Sequence, residues 1–130
     1  MSRTVVREAL RSLEVLGMVR EYLRDMRDAY GRRSRSAFVS ADTGFHRTVL
    51  RGADNAVLSR LVQTLIATLH ARYSDRHQFF TADTAASLDR HEQVVEAIAA
   101  MDPAAARAAA AALVRASRVE VLGSAPAWER

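Results

Sequence analysis

Helical periodicity is the feature that most constrains what this chain of 130 residues can fold into. Apolar residues return every three or four positions from residue 2 to about residue 122, and residues 55–73 carry the strongest such pattern. No stretch alternates apolar and polar residues as a half-buried strand would. The sequence therefore predicts an all-α fold without a sheet.

Capping and breaking residues divide this pattern into segments. Ser2 is a plausible N-cap and Gly17 a plausible C-terminal stop, which predicts a first helix over residues 2–17. A second helical segment follows and ends in a polar break at residues 31–36. Three further helices are predicted over residues 37–51, 55–73 and 84–101, with a loop before the last of them. A final helix begins at Asp102-Pro103 and runs to about residue 122.

Composition narrows the class of protein. The length suits one domain, and the chain contains no cysteine, which excludes disulfides, thiolate catalysis and cysteine-based zinc sites. Nothing resembles a signal peptide, and the most apolar run, residues 104–114, is mostly alanine with Arg107 inside it. We expect a cytoplasmic protein that does not enter the membrane.

The excess positive charge lies at the N-terminus. Residues 1–36 contain nine arginines and five acidic residues, whereas residues 37–130 contain ten of each. An anionic partner would therefore meet the N-terminal quarter, if it meets any part of the chain. Charge alone favours the simpler interpretation, which is a solvated helix face with ion pairs.

Asp42 and His46 are the most informative polar pair. They stand four residues apart and share a helix face with Phe45 and Val49, so the face is predicted to point inward. His91 lies on the apolar face of a later helix. One carboxylate and two imidazoles from facing helices are suited to a divalent metal ion. The alternative is a buried polar cluster whose members hydrogen-bond to one another.

The N-terminal stretch SRTVVREALRSLEVLGMV resembles the end of the winged helix-turn-helix of GntR-type regulators of the FadR-like subfamily. The resemblance implies that Ser2, Arg3, Thr4 and Arg7 contact DNA, which suits arginine at guanine edges and hydroxyls at phosphates. The two helices that precede this recognition helix are not in the sequence, and residues 20–30 continue in helical period where a wing is expected. We therefore expect weak or absent sequence-specific DNA binding by this chain.

The rest of the chain resembles the FCD effector-binding domain of the same subfamily. The motifs are D-x-x-F-H ending at His46, an A-D-N segment at residues 53–58, H-x-x-V-x-x-A-I-x-x-x-D at residues 91–102, and an alanine-rich last helix. We predict a winged-helix remnant at 1–19, an FCD-like domain at 20–123 and a tail at 124–130. The resemblance implies an antiparallel helical bundle, commonly dimeric, that holds a small carboxylate effector, often over a divalent metal.

The resemblance also implies a ligand set. Metal-binding relatives use one aspartate and three histidines, and Asp42, His46 and His91 match three of these. Leu113 stands at the expected position of the fourth ligand. Three ligands would hold zinc, nickel or manganese and leave positions open for the effector. Arg72 and Asn55 are the predicted effector-binding residues, since guanidinium and amide groups bind carboxylates.

The function predicted from these observations is a ligand-responsive transcriptional regulator, acting as a homodimer and not as an enzyme. One alternative is a metal-dependent enzyme, because two histidines and one carboxylate also form the site of non-haem iron oxygenases. Another is a dimerising fragment that does not bind DNA.

Overall fold

The computed structural model describes residues 2–52, 64 and 80–122. These residues form four helices and no strand, and the prediction of an all-α fold is confirmed. The helices are α1 (Arg3–Arg32), α2 (Arg35–Gly52), α3 (Ala82–Ala99) and α4 (Pro103–Leu122). The chain divides into two compact units, Met1–Ile66 and Ala67–Arg130.

The first helix is longer than the sequence predicted. Gly17 was expected to end a helix at residue 17, but α1 continues through Gly17 and Gly31 for 30 residues. A glycine that stops a helix at the C′ position commonly takes a positive φ, and neither Gly17 nor Gly31 does so. Glycine inside a helix costs only about 1 kcal/mol relative to alanine, so good helix formers on both sides outweigh it. α1 also crosses the predicted boundary at residue 19, which stays a prediction.

α1 and α2 form an antiparallel hairpin. Arg33, in the left-handed conformation with φ 56°, ends α1 and donates its N–H to the carbonyls of Ala29 and Tyr30. The chain then reverses, so that Gly44 faces Tyr22 and Gly52 faces Val15. The hairpin buries apolar side chains from both helices: Val19, Leu23, Met26, Ala29, Phe38, Ala41 and Phe45.

The N-terminal part of α1 extends past this hairpin. α2 ends opposite Val15, so the apolar side chains of the preceding turns of α1 lie beyond α2, although the Arg11 side chain donates to the Arg51 carbonyl. Val5, Leu10 and Leu13 are accordingly 51%, 59% and 64% exposed. This part of α1 carries an apolar face that the first unit does not bury.

α3 and α4 form the second unit. α3 begins at Ala82, two residues before the predicted start, because the Thr84 hydroxyl accepts the Thr81 N–H and closes the first turn. α4 begins as predicted, with Pro103 in its first position and the Asp102 carboxylate accepting the Ala105 N–H at 3.0 Å. The core of this unit contains Leu88, His91, Val94, Val95, Ala97 and Leu113.

Several predictions fall outside the described residues. The helix over residues 55–73, most of the loop that follows it, and the tail at 124–130 belong to this group. The helix predicted over residues 37–51 is confirmed as α2. None of the described helices combines the length and apolar character that a membrane span requires.

Candidate metal centre

Asp42 and His46 meet on α2 as their spacing predicted. His46 Nε2 lies 3.1 Å from Asp42 Oδ1, and the two side chains are 26% and 18% exposed respectively. Their place on α2 follows from helix geometry, since residues four apart lie one above the other. The pair therefore sits at the edge of the core, shielded from bulk water but not sealed from it.

Aromatic packing positions this pair. Phe45, the neighbour of His46, is 1% exposed and anchors α2 in the core of the first unit. The rings of Phe45 and His46 meet edge to face, with centroids 5.6 Å apart and planes at 77°. The buried Phe45 ring thus provides one wall of the surroundings of the His46 imidazole.

His91 is the most deeply buried ionisable side chain among those that the structure describes, at 2% exposure on α3. Its Nδ1 lies 2.6 Å from the Ser87 carbonyl oxygen and 3.5 Å from the Ser87 hydroxyl. A carbonyl oxygen only accepts, so Nδ1 carries the proton and donates it. In the neutral ring the lone pair is then on Nε2. Metal-binding histidines commonly have this arrangement, in which one ring nitrogen donates to a carbonyl oxygen and the other is left to bind the metal.

Ser87 is the residue that sequence reasoning missed. It stands four residues before His91, so its carbonyl accepts from the imidazole on the same helix face. The spacing alone could have suggested this contact. Every helical histidine has a backbone carbonyl four residues before it, however. The Ser87 carbonyl indicates a metal-binding tautomer only because His91 is buried.

The donor set fits a divalent metal ion. Asp42 and His46 each offer one ligand atom in the first unit, and His91 offers one in the second. Two donors bound to one ion at about 2.0–2.2 Å with angles of 90–110° lie roughly 3.0–3.5 Å apart. The 3.1 Å between His46 Nε2 and Asp42 Oδ1 is in this range. Two imidazoles and one carboxylate suit zinc, nickel or manganese.

Leu113 lies in the core of the second unit, where it is 4% exposed. A leucine side chain has no atom that can donate to a metal. The assignment of Leu113 to the position of the fourth ligand stays a prediction.

The remaining predicted site residues fall into two groups. Arg72 and Asn55, predicted to bind the effector, lie outside the described residues. The predicted DNA contacts lie at the start of α1, where Ser2 is the N-cap and its hydroxyl accepts the Val5 N–H at 3.2 Å. Arg3, Thr4 and Arg7 follow on exposed positions of the first turns.

The fold and the paired carboxylate and imidazole define an all-helical domain with a candidate metal centre, and comparison with known families identifies it. The FCD domain matches residues 3–116, so the chain belongs to the FCD domain family. This match supports the predicted resemblance to the effector-binding domain of GntR and FadR-like regulators, a family of regulators and not of enzymes. No curated protein and no solved structure shows significant similarity to the chain.

Proposed function

We propose that this FCD domain is the sensor of a GntR-type transcriptional regulator and binds a small carboxylate effector over a divalent metal ion. The observation that carries the proposal is the Asp42–His46 pair, with its 3.1 Å spacing, inside a chain matched by the FCD family over residues 3–116. His91 supplies the third ligand in the proposed site.

Each of the three side chains has a separate task. The Asp42 carboxylate supplies the negative charge that offsets part of the charge of the ion. His46 supplies an imidazole whose ring is steadied by Phe45. His91 supplies a second imidazole whose tautomer is set by the Ser87 carbonyl.

A bound divalent ion would supply a Lewis-acidic centre with positions left for oxygen ligands. Three protein ligands leave at least one such position, and a buried leucine at residue 113 would add no donor. The carboxylate of the effector fits this position by charge and by ligand type. An effector that carries an acid group would then bind more tightly than one that does not.

The regulatory step follows from linkage. An effector that binds one arrangement of the helices better than another shifts the population toward the first. In a regulator with a DNA-binding domain, the same preference changes the affinity for DNA. We further propose that the chain acts as a homodimer.

DNA binding by this chain alone is proposed to be weak. Ser2, Arg3, Thr4 and Arg7 offer suitable chemistry on the exposed start of α1. Binding through these arginines would be mainly electrostatic and would fall steeply as salt is added.

The proposal is tested by effector binding to the metal-loaded and the metal-free protein. Succinate is a suitable probe because it is a dicarboxylate that binds zinc weakly in solution. Calorimetric titration should show succinate binding to the zinc-loaded wild type at least about tenfold more tightly than to the chelated protein. Equal binding to both forms, or equal binding to zinc-treated His46→Ala, would contradict a metal-supported effector site.

A further inference from the structure

A polar cleft lies on the first unit, between α1 and α2. It has a volume of about 330 Å³, within the range of small-molecule sites. Its lining combines two guanidinium groups with hydroxyl groups and consists of Tyr22, Ser40, Thr43, Gly44, Arg47 and Arg51. Among the described residues that line it there is no carboxylate.

The cleft is on another side of α2 from the Asp42–His46 pair. A helix turns about 100° per residue, so Asp42 lies roughly 200° around α2 from Ser40. The cleft residues Ser40, Arg47 and Arg51 repeat at helical spacing and form one stripe. This stripe and the Asp42–His46 pair therefore face different directions, and the cleft does not depend on the candidate metal centre.

The two arginines of the cleft are available for a ligand. Both side chains are exposed, and neither guanidinium pairs with a carboxylate within the residues that the structure describes. Arg11 Nη2 donates to the Arg51 carbonyl at 2.9 Å, so the C-terminal end of α2 already has a cationic partner. The Arg51 side chain is thus not required as a cap.

The shape of the cleft depends on a close contact between the helices. A Cβ atom at Gly44 would lie 2.3 Å from Tyr22 Cε1 and 2.5 Å from Tyr22 Cζ. Only glycine leaves room for the Tyr22 ring at this level of α2, and Tyr22 then lines the cleft together with Arg47 and Arg51. Thr43 donates its hydroxyl proton to the Val39 carbonyl at 2.8 Å, so the donors that face a ligand are Ser40, Tyr22 and the two arginines.

We propose that this cleft is a second ligand site, which binds a small oxyanion through Arg47 and Arg51. Guanidinium groups bind the oxygens of phosphate and carboxylate groups in pairs, and both groups share this chemistry. The hydroxyls of Ser40 and Tyr22 supply neutral donors to the remaining oxygens. The ligand class is a phosphate-bearing or carboxylate-bearing metabolite of a size that fits the volume of the cleft.

The test is a titration of the metal-free, chelated protein with inorganic phosphate and, separately, with succinate, at constant ionic strength. Wild type should bind at least one of the two, and the one that binds identifies the oxyanion. Arg47→Gln/Arg51→Gln should weaken this binding by about tenfold or more, since charged hydrogen bonds are lost. Tyr22→Phe should weaken it less, because the ring stays and one donor is lost.

Two control variants distinguish this site from a general effect of positive charge and from the metal centre. Arg107→Gln removes an exposed arginine of α4, and His46→Ala removes the proposed metal ligand; both should bind as wild type does. The proposal is overturned if neither anion binds wild type, or if Arg107→Gln weakens binding as much as the double variant. Loss of duplex DNA binding in the double variant, without phosphate or succinate binding by wild type, would instead indicate a nucleic-acid surface and also overturn it.

Discussion

Individual residues decide where the two sites of the first unit lie. The Asp42–His46 pair could be predicted from spacing, because a helix brings residues four apart together whatever else the fold does. The Tyr22–Gly44 contact could not, because it depends on the register between α1 and α2 and joins residues that are 22 positions apart in sequence. For the same reason the cleft with Arg47 and Arg51 has no signature in the sequence.

Substitutions at two glycines test these helix contacts. Gly17→Ala should stabilise the protein by about 0.5–1 kcal/mol, because the position is helical and nothing lies within 4 Å of the new methyl group. Gly44→Ala should be destabilising, because displacing the Tyr22 ring costs about 1–3 kcal/mol, which outweighs the gain in helix propensity. Thermal unfolding followed by circular dichroism measures both. A melting temperature for Gly44→Ala equal to or above that of Gly17→Ala would contradict the contact.

The helices show which kinds of sequence signal are reliable. Asp102-Pro103 predicted the start of α4 correctly, because the carboxylate cap and the proline act locally. Gly17 predicted a helix end wrongly, because glycine is permitted in a helix and its cost was offset by the residues around it. The reversal after α1 instead uses Arg33, a residue type that does not signal a positive φ. Helix starts set by local caps were therefore predictable, whereas the residue at which α1 ends was not.

The connection between α3 and α4 contains a residue with left-handed backbone. Met101 has φ 54° and is 74% exposed, so it has left-handed backbone without burying its side chain. Met101→Gly should stabilise the protein by about 0.5–1 kcal/mol, since glycine adopts this conformation without steric cost. Ala100→Gly is the control, because Ala100 has φ −77° and glycine there should be neutral or destabilising. Equal melting temperatures for the two variants would show that Met101 carries no strain.

The whole chain combines an FCD match with an apolar helix face that its own first unit does not cover. The all-α prediction followed from periodicity, and the family followed from motifs in order along the chain. The function of the exposed part of α1 could not be read from the sequence, because an amphipathic pattern does not say which partner covers it. We expect a second copy of the chain.

Dimerisation can be tested with a matched pair of variants. Light scattering should give a dimeric mass for wild type. Leu13→Glu should shift the mass toward the monomer, because it places a charge on the apolar face of α1. Val114→Glu is the control, since Val114 on α4 has the same exposure as Leu13, 64%. A monomeric wild type at high concentration, or equal effects of both variants, would contradict dimerisation through α1.

The proposed function depends on a divalent metal ion held by Asp42, His46 and His91. Calorimetric titration with zinc and with nickel tests it most directly, on wild type, His46→Ala, His91→Gln and Leu113→His, with circular dichroism to confirm that each variant is helical. Wild type should bind one ion per chain, each histidine variant should bind at least about a hundredfold more weakly, and Leu113→His should bind more tightly. If wild type binds neither metal more tightly than the two histidine variants do, the three residues are a polar cluster and the metal centre does not exist.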